Sequence, residues 1–235
     1  MIIAATSDIH LPKNYEDFVF AVDRMKKRPD LFLIAGDVVH QGEIAEYDRF
    51  YNVIFGKFSC PIVACFGNNE FQQLRDDVRR RYSDIKFLDD QSEVVKADGT
   101  TIGIFGTTGS LETPTPWQLA NMPNIENLYK QRVDMADDAL KSMQANFKIL
   151  LTHYAPTFKT LEGENPRTFP VLGSQMYEGV ISSRRPNLVI HGHSHYGTRQ
   201  AWMDTVPIFD VAFPLNKEIV IIDTDELKPG LSKFV

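Results

Sequence analysis

Ile2-Ile3-Ala4-Ala5-Thr6-Ser7-Asp8-Ile9-His10 is an apolar run that stops on an acid and an imidazole two residues apart. A short continuous apolar run of this kind reads as a buried strand. The pattern recurs down the chain. Leu31–Ala35 runs into Gly36-Asp37, Pro61–Phe66 into Gly67-Asn68-Asn69-Glu70, Lys148–Leu151 into Thr152-His153, and Leu188–Ile190 into His191-Gly192-His193-Ser194-His195. Ligand sites in open α/β sheets gather just beyond the carboxyl ends of strands, so these ends would bring their polar residues together.

Amphipathic stretches separate the strands. Tyr15–Lys27, with Phe18, Val22 and Met25 near helical spacing, predicts a helix, as do Glu43–Phe58, Phe71–Tyr82, Ile125–Asn146 and Gln175–Ser183. Further β runs are expected at Lys86–Leu88, Glu93–Lys96 and Thr101–Phe105, with Asp98-Gly99 as a turn, and at Thr198–Met203, Pro207–Val211 and Glu218–Asp223. Leu111–Asn124, carrying Pro114, Pro116 and Pro123, is expected to be irregular, and so is Thr157–Gly173. These two loops are the expected substrate-facing segments. With no internal repeat, one α/β domain over residues 1–235 is expected.

The composition, 43% hydrophobic and 24% charged, excludes disordered and fibrous classes. A net charge of −6 gives no reason to expect binding to nucleic acid or an anionic membrane. It leaves a phosphate-bearing substrate open, because bound cations reverse the local field. Arg79-Arg80-Arg81, preceded by Asp76-Asp77, reads as a solvated helix face. No apolar stretch approaches the roughly 18 residues of a membrane span. The N-terminus reads directly as a strand, and Cys60 and Cys65 are placed to point to opposite faces, so a cytoplasmic setting is expected.

The polar residues have a common chemistry. In an extended chain residues i and i+2 face the same way, so Asp8 and His10 can share one ion, as can His193 and His195. Taken singly, Asp37 reads as a helix cap, Asn68 as a turn residue and His153 as a buried histidine. It is their ordered recurrence at strand ends that points to a site. Asp8, His10, Asp37, Asn68, His153, His193 and His195 make seven donors, too many for one tetrahedral ion and suited to two ions sharing a carboxylate. Carboxylate and amide oxygens mixed with imidazole suit manganese, iron, zinc, nickel or cobalt. Spacing alone does not choose between His191 and His193.

This ordered set resembles the calcineurin-like metallophosphoesterase superfamily, with its Asp-x-His, Gly-Asp, Gly-Asn-His-Asp/Glu, later His and Gly-His-x-His. The resemblance spans residues 8 to 195 and implies a four-layer α/β/β/α sandwich with a dinuclear metal site at the strand ends. It implies Asp8, His10 and His195 at one metal, Asn68, His153 and His193 at the other, and Asp37 between them. It favours His193 as the ligand and leaves His191 buried. The implied activity is hydrolysis of phosphate esters by a metal-bridging water, with Asn68, Asn69 and neighbouring imidazoles such as His153 and His193 orienting the phosphoryl group. Glu70 is expected to accept a hydrogen from a metal-binding residue and so fix its ring.

One position departs from the pattern. Asn69 stands where the family often has histidine, and an amide cannot protonate a leaving group. A phosphodiesterase is therefore favoured. The alternatives are a phosphomonoesterase on nucleotides or protein phosphates, or a scaffold protein on the same fold. A nucleotide-derived substrate is one candidate, with Trp117, Tyr154, Arg167 and Tyr177 placed to stack a base or pair a phosphate. An exposed sheet edge would permit a homo-oligomer.

Overall fold

In a computed structural model, residues 1–227 are described; the end of the expected domain, residues 228–235, lies outside the described residues. The elements run β1 (Ile2–Thr6), α1 (Tyr15–Asp23), β2 (Leu31–Ala35), α2 (Tyr47–Ile54), β3 (Ile62–Cys65), α3 (Arg75–Arg81), β4 (Ile85–Leu88), β5 (Gln91–Ala97) and β6 (Thr100–Thr107). They continue with α4 (Pro116–Asn121), α5 (Ile125–Ser142), β7 (Phe147–Thr152), α6 (Glu178–Arg184), β8 (Leu188–His191), β9 (Gln200–Met203), β10 (Val206–Asp210), α7 (Phe213–Asn216) and β11 (Val220–Asp223). One sheet has the order β11-β1-β2-β3-β4, the other β5-β6-β7-β8-β10-β9. Every strand flanked on both sides within its sheet has parallel neighbours except where β11, β5 and β9 close an edge antiparallel.

Alternation sets the layers. Ile3, Ala5, Leu31, Leu33 and Val63 of the first sheet pack against Ile102, Ile104, Ile149, Leu151, Leu188 and Ile190 of the second. The intervening Ala4, Phe32, Ile34 and Ala64 face outward, under Phe18, Phe50 and Val78 of α1–α3. Phe105, Leu150, Val189 and Ile208 face the other way, under Ala136 and Leu140 of α5 and Val180 and Ile181 of α6. These inner strands are apolar on both faces because both are covered. The result is the four-layer α/β/β/α sandwich. No helix among the described residues is long and apolar enough to cross a membrane.

Expectations about local structure are corrected at five places. The proline-rich segment is not irregular throughout, because Pro116–Asn121 forms α4. Pro116 sits at the first turn, where a missing N–H costs nothing, and Thr115 and Gln118 cap the helix reciprocally. The helix expected over Glu43–Phe58 is shorter, with a single 3-10 turn at Ile44–Glu46 before α2. Likewise Phe71–Tyr82 contains a 3-10 turn at Gln72–Leu74 before α3, and Gln175–Ser183 one at Gln175–Tyr177 before α6. The second stretch expected to be irregular, Thr157–Gly173, holds a 3-10 helix at Pro166–Val171, with Pro166 at its first turn. Arg80 and Arg81 of α3 are exposed as expected, pairing with Asp77 and with Asp48 of α2, whereas Arg79 is half-buried between Asp76 and Asp89 and lies over the Phe66 ring.

Candidate metal centre

The polar residues converge where the two sheets meet, but not by strand alternation. Strand β1 ends at Thr6, and Asp8 (φ 53°), His10 (51°), Asp37 (52°) and His193 (70°) all adopt the left-handed backbone region. This region is uncommon for non-glycine residues and concentrates at functional sites. Convergence of Asp8 with His10, and of His193 with His195, thus comes from tight turns that fold the chain back after each strand. Gly36 (φ 83°) starts one such turn, and a Cβ there would collide with Gly67 of the neighbouring turn.

Two groups of donor atoms result. Asp8, Asp37, His153 and His193 each bring one donor atom into a set lying within 4.8 Å of one another, and Asp8, His10 and His195 form a second such set. Asp8 and Asp37 are buried, and so is His153. Oδ1 of Asp8 lies 3.3 Å from Nε2 of His195 and 3.6 Å from Nε2 of His10. Its Oδ2 accepts from Ser7 Oγ (2.6 Å) and from the His193 N–H (2.8 Å), tying the first sheet to the second. Asn68 joins the first group, with Oδ1 3.0 Å from Nε2 of His153. The carboxylate common to both groups is Asp8, whereas the resemblance gave that place to Asp37. Both oxygens of Asp37 are occupied: Oδ1 accepts from the Asn69 backbone N–H (2.8 Å) and Oδ2 from its side-chain amide (2.5 Å).

The chemistry of these donors fits a pair of divalent cations. Nδ1 of His153 lies 2.8 Å from the Ala35 carbonyl, which can only accept, so the ring hydrogen sits there. Nε2 then turns a lone pair towards Asn68 Oδ1, and Asp37 Oδ2 is 3.5 Å away. Acceptors face one another with no hydrogen between them. Nδ1 of His10 is buried without a hydrogen-bond partner among the described residues. Burial, then the charge of Asp8, pushes the Asp37 carboxyl up to about 8. Burial also acts on Asp8, but hydrogen bonding to His195 and the charges of His153, His195 and His10 outweigh it and hold its carboxyl well below the usual range. Burial lowers His10 to about 4 and His193 to about 3, leaving both as neutral imidazoles near pH 7, the form that binds metal. Burial would lower His195 too, yet the hydrogen bond and charge of Asp8 raise it. Crowded acceptors and adjacent buried carboxylates are both relieved by cations.

Supporting carboxylates hold the turns. Glu70, fully buried, accepts the N–H groups of Gly67 (2.8 Å) and Asp37 (2.9 Å) on Oε2, and those of Val38 (2.8 Å) and Val39 (3.3 Å) on Oε1. It grips backbone rather than an imidazole ring, because the left-handed turn at Asp37 points successive N–H groups inward. Glu164 is a supporting residue that sequence reasoning missed. Its Oε1 accepts from Ser194 Oγ (3.2 Å), His195 N (2.9 Å) and Tyr196 N (2.9 Å). It lies in an irregular stretch with no periodicity, so nothing in the sequence marks it. His191 is buried against Thr160 Oγ1 (2.8 Å) and belongs to neither donor group. His40, exposed, places its ring 6.0 Å from that of His10.

Beside the donors opens a cavity of about 500 Å³ lined by Asn68, Phe71, Thr108, Trp117, Leu128 and Tyr154, among others. Tyr154 packs its ring 4.8 Å from His193 and so joins the cavity to the donor cluster. Two arginines in the lining are each paired, Arg75 with Asp89 (2.6 Å) and Arg132 with Asp90 (3.1 Å). Of the four residues expected to meet substrate, Trp117 and Tyr154 line this cavity. Tyr177 instead is buried under α5 and α6, and Arg167 is exposed outside the lining.

A two-sheet sandwich with carboxylates and imidazoles at its strand ends defines a class of metal-dependent phosphoesterases. The chain belongs to the calcineurin-like phosphoesterase family, whose model matches residues 1–197. The fold recurs in phosphopantetheinyl hydrolase from Mycobacterium tuberculosis, with a TM-score of 0.64 at 14% identity over 89% of this chain and 88% of that one. It recurs in TT1561 of Thermus thermophilus, with a TM-score of 0.63 at 17% identity over 97% and 96%. A putative 5′-nucleotidase from Staphylococcus aureus matches with a TM-score of 0.56 at 17% identity, over 97% of this chain but 51% of its own. No curated protein matches the sequence.

Proposed function

We propose that this chain is a phosphodiesterase whose centre holds two divalent metal ions, manganese first among manganese, iron, zinc, nickel and cobalt. Asp8, His10 and His195 would hold one ion, and Asn68, His153 and His193 the other, with Asp8 the carboxylate common to both groups and Asp37 beside it in the second. When bound, the metals supply charge to neutralise the phosphoryl oxygens and lower the pKa of the attacking water.

The chain's own residues supply the rest. Ala35 fixes the tautomer of His153, so its Nε2 always points into the centre. The side-chain amide of Asn68, oriented by its oxygen, leaves its N–H groups to donate to a phosphoryl oxygen. Asn69 orients Asp37 through two hydrogen bonds and has no proton to give a leaving group. An unassisted departure suits a leaving group that is stable as an anion.

The observation that carries the diester preference is the charge of the cavity beside the centre. Its two arginines pair with Asp89 and Asp90, so among the described residues lining it no spare cation receives the second negative charge of a monoester. A diester carries one charge and extends a second organic group into that space. The test is hydrolysis of bis-p-nitrophenyl phosphate and p-nitrophenyl phosphate by metal-stripped protein resupplied with manganese, nickel, cobalt or zinc. Metal-dependent turnover favouring the diester is expected, and Asp37→Asn should lower it about 100-fold or more. Preference for the monoester sinks the diester reading. Two ions bound per chain with no turnover of either ester would favour a scaffold.

A further inference from the structure

One buried carboxyl stands beside the turn that carries His193 and His195 and belongs to neither donor group. Asp210, the last residue of β10, is wholly buried and lies in register with His191 at the end of β8. Its backbone is paired: the N–H donates to the Arg199 carbonyl (3.0 Å), and its own carbonyl accepts from the Asn216 amide (2.9 Å). In the carboxyl, Oδ1 accepts from the Ala212 N–H (3.0 Å), while Oδ2 has no hydrogen-bond partner among the described residues. A buried polar atom left unpaired is costly, and more so when it carries charge.

The Ser194 hydroxyl lies against this carboxyl and is itself wholly buried. It gives its single hydrogen to Glu164 Oε1 (3.2 Å), which leaves its lone pairs free to accept. Gly197 backs onto it so closely that a Cβ there would collide with Ser194 Oγ, so the hydroxyl is enclosed. Burial pushes the Asp210 carboxyl well above the usual carboxylate range; the Ala212 N–H opposes this, and the charge of Asp8 adds to it. A carboxyl that keeps its hydrogen becomes a donor. With that hydrogen on Oδ2 and directed at Ser194 Oγ, the orphaned oxygen gains a partner and a free lone pair is used. The chain from Asp210 through Ser194 then ends on the Glu164 oxygen that also accepts the N–H groups of His195 and Tyr196 (both 2.9 Å). Hydrogen bonds in such a chain polarise and strengthen one another.

We infer that Asp210 is a positioning residue for the metal centre: it donates a hydrogen to Ser194 and, through Ser194 and Glu164, holds the turn that presents His193 and His195. The inference rests on the two-ion reading above and extends the support of that centre to a residue outside every motif of the sequence. The anchor is rigid, since β10 pairs with β8 on one side and β9 on the other.

The test titrates the metal-stripped protein with manganese and follows the free ion by electron paramagnetic resonance. Asp210→Leu, similar in shape and without polar atoms, should weaken binding about 10–100-fold, and Ser194→Ala about as much. Asp210→Asn keeps an acceptor for Ala212 and brings a donor for Ser194, so it should lose no more than about threefold. Both disruptive changes cut one chain, so the Asp210→Leu/Ser194→Ala double variant should bind about as well as the weaker single one. Equal loss in Asp210→Asn and Asp210→Leu overturns the inference, and so do losses that add in the double variant. A merely structural role would lower the urea midpoint of Asp210→Leu and leave its manganese affinity unchanged. If Asp210→Leu does not fold, Asp210→Asn against Ser194→Ala carries the comparison. A second readout needs no bound metal. The infrared difference between the unmodified protein and Asp210→Asn near neutral pH should show the carbonyl band of a protonated carboxylic acid; carboxylate bands in its place overturn the inference. Should the unmodified protein bind no manganese, the two-ion reading falls and takes the positioning role with it, while the band still decides where the hydrogen sits.

Discussion

Glu164 gathers three hydrogen bonds on one oxygen, and two of them come from the backbone of His195 and Tyr196. Replacing it with alanine leaves those N–H groups without a partner and frees the turn that carries His193 and His195. Glu164→Ala is expected to weaken metal binding about 10–100-fold, measured by titrating the stripped protein with manganese. Glu164→Gln, which keeps an acceptor oxygen, should lose much less. Equal loss in both variants would contradict a role through the acceptor. Asp8, His10, Asp37 and His193 each hold a strained backbone conformation at this same place. Their convergence was legible in the sequence because carboxylates and imidazoles recur in order at strand ends. Glu164 and the four-way grip of Glu70 on backbone were not, since hydrogen bonds to N–H groups leave no trace in residue type.

Among the elements, α4 is the most informative. Three prolines suggest irregular chain, yet Pro116 falls on a helix's first turn and Thr115 accepts from the Gln118 N–H (3.2 Å) while Gln118 Oε1 accepts from Thr115 N (2.9 Å). Thr115→Ala removes half of this box and should cost α4 about 1 kcal/mol. Hydrogen exchange at Leu119 and Met122, whose N–H groups bond back to Thr115 and Gln118, should quicken about fivefold, with β6 and β7 unchanged. Unchanged exchange in α4 would show that packing, not the cap, holds it. Strands were the easier elements to read. Leu31–Ala35 and Leu188–Ile190 are continuous apolar runs because both faces are covered, and the bounds of their strands differ little from those expected. Helix ends were harder, as at Ile44–Glu46, where a 3-10 turn and a following helix share one amphipathic stretch.

At the scale of the whole molecule, the two sheets share one inner layer and the candidate centre bridges it. Ile104, wholly buried between the sheets, should cost about 2–5 kcal/mol when cut to alanine. Because its neighbours come from both sheets, urea unfolding of Ile104→Ala is expected to remain a single transition at lower midpoint, followed by far-ultraviolet circular dichroism and tryptophan fluorescence together. Separate transitions by the two probes would mean that the sheets unfold independently, against the single domain proposed here.

The sequence by itself determined the layer class and singled out the candidate donors. Strand-length apolar runs alternating with amphipathic stretches permit few arrangements, and each run's end carried its own chemical signature. Only the tertiary structure decided how those ends meet. Left-handed turns at Asp8, Asp37 and His193, and hydrogen bonds such as Asp8 to the His193 N–H, set which oxygen faces which nitrogen. It also decided that Trp117, Thr108 and Gln72 share one cavity with Asn68. Those residues come from separate loops and elements, and their proximity depends on distances between sheets that no local pattern encodes.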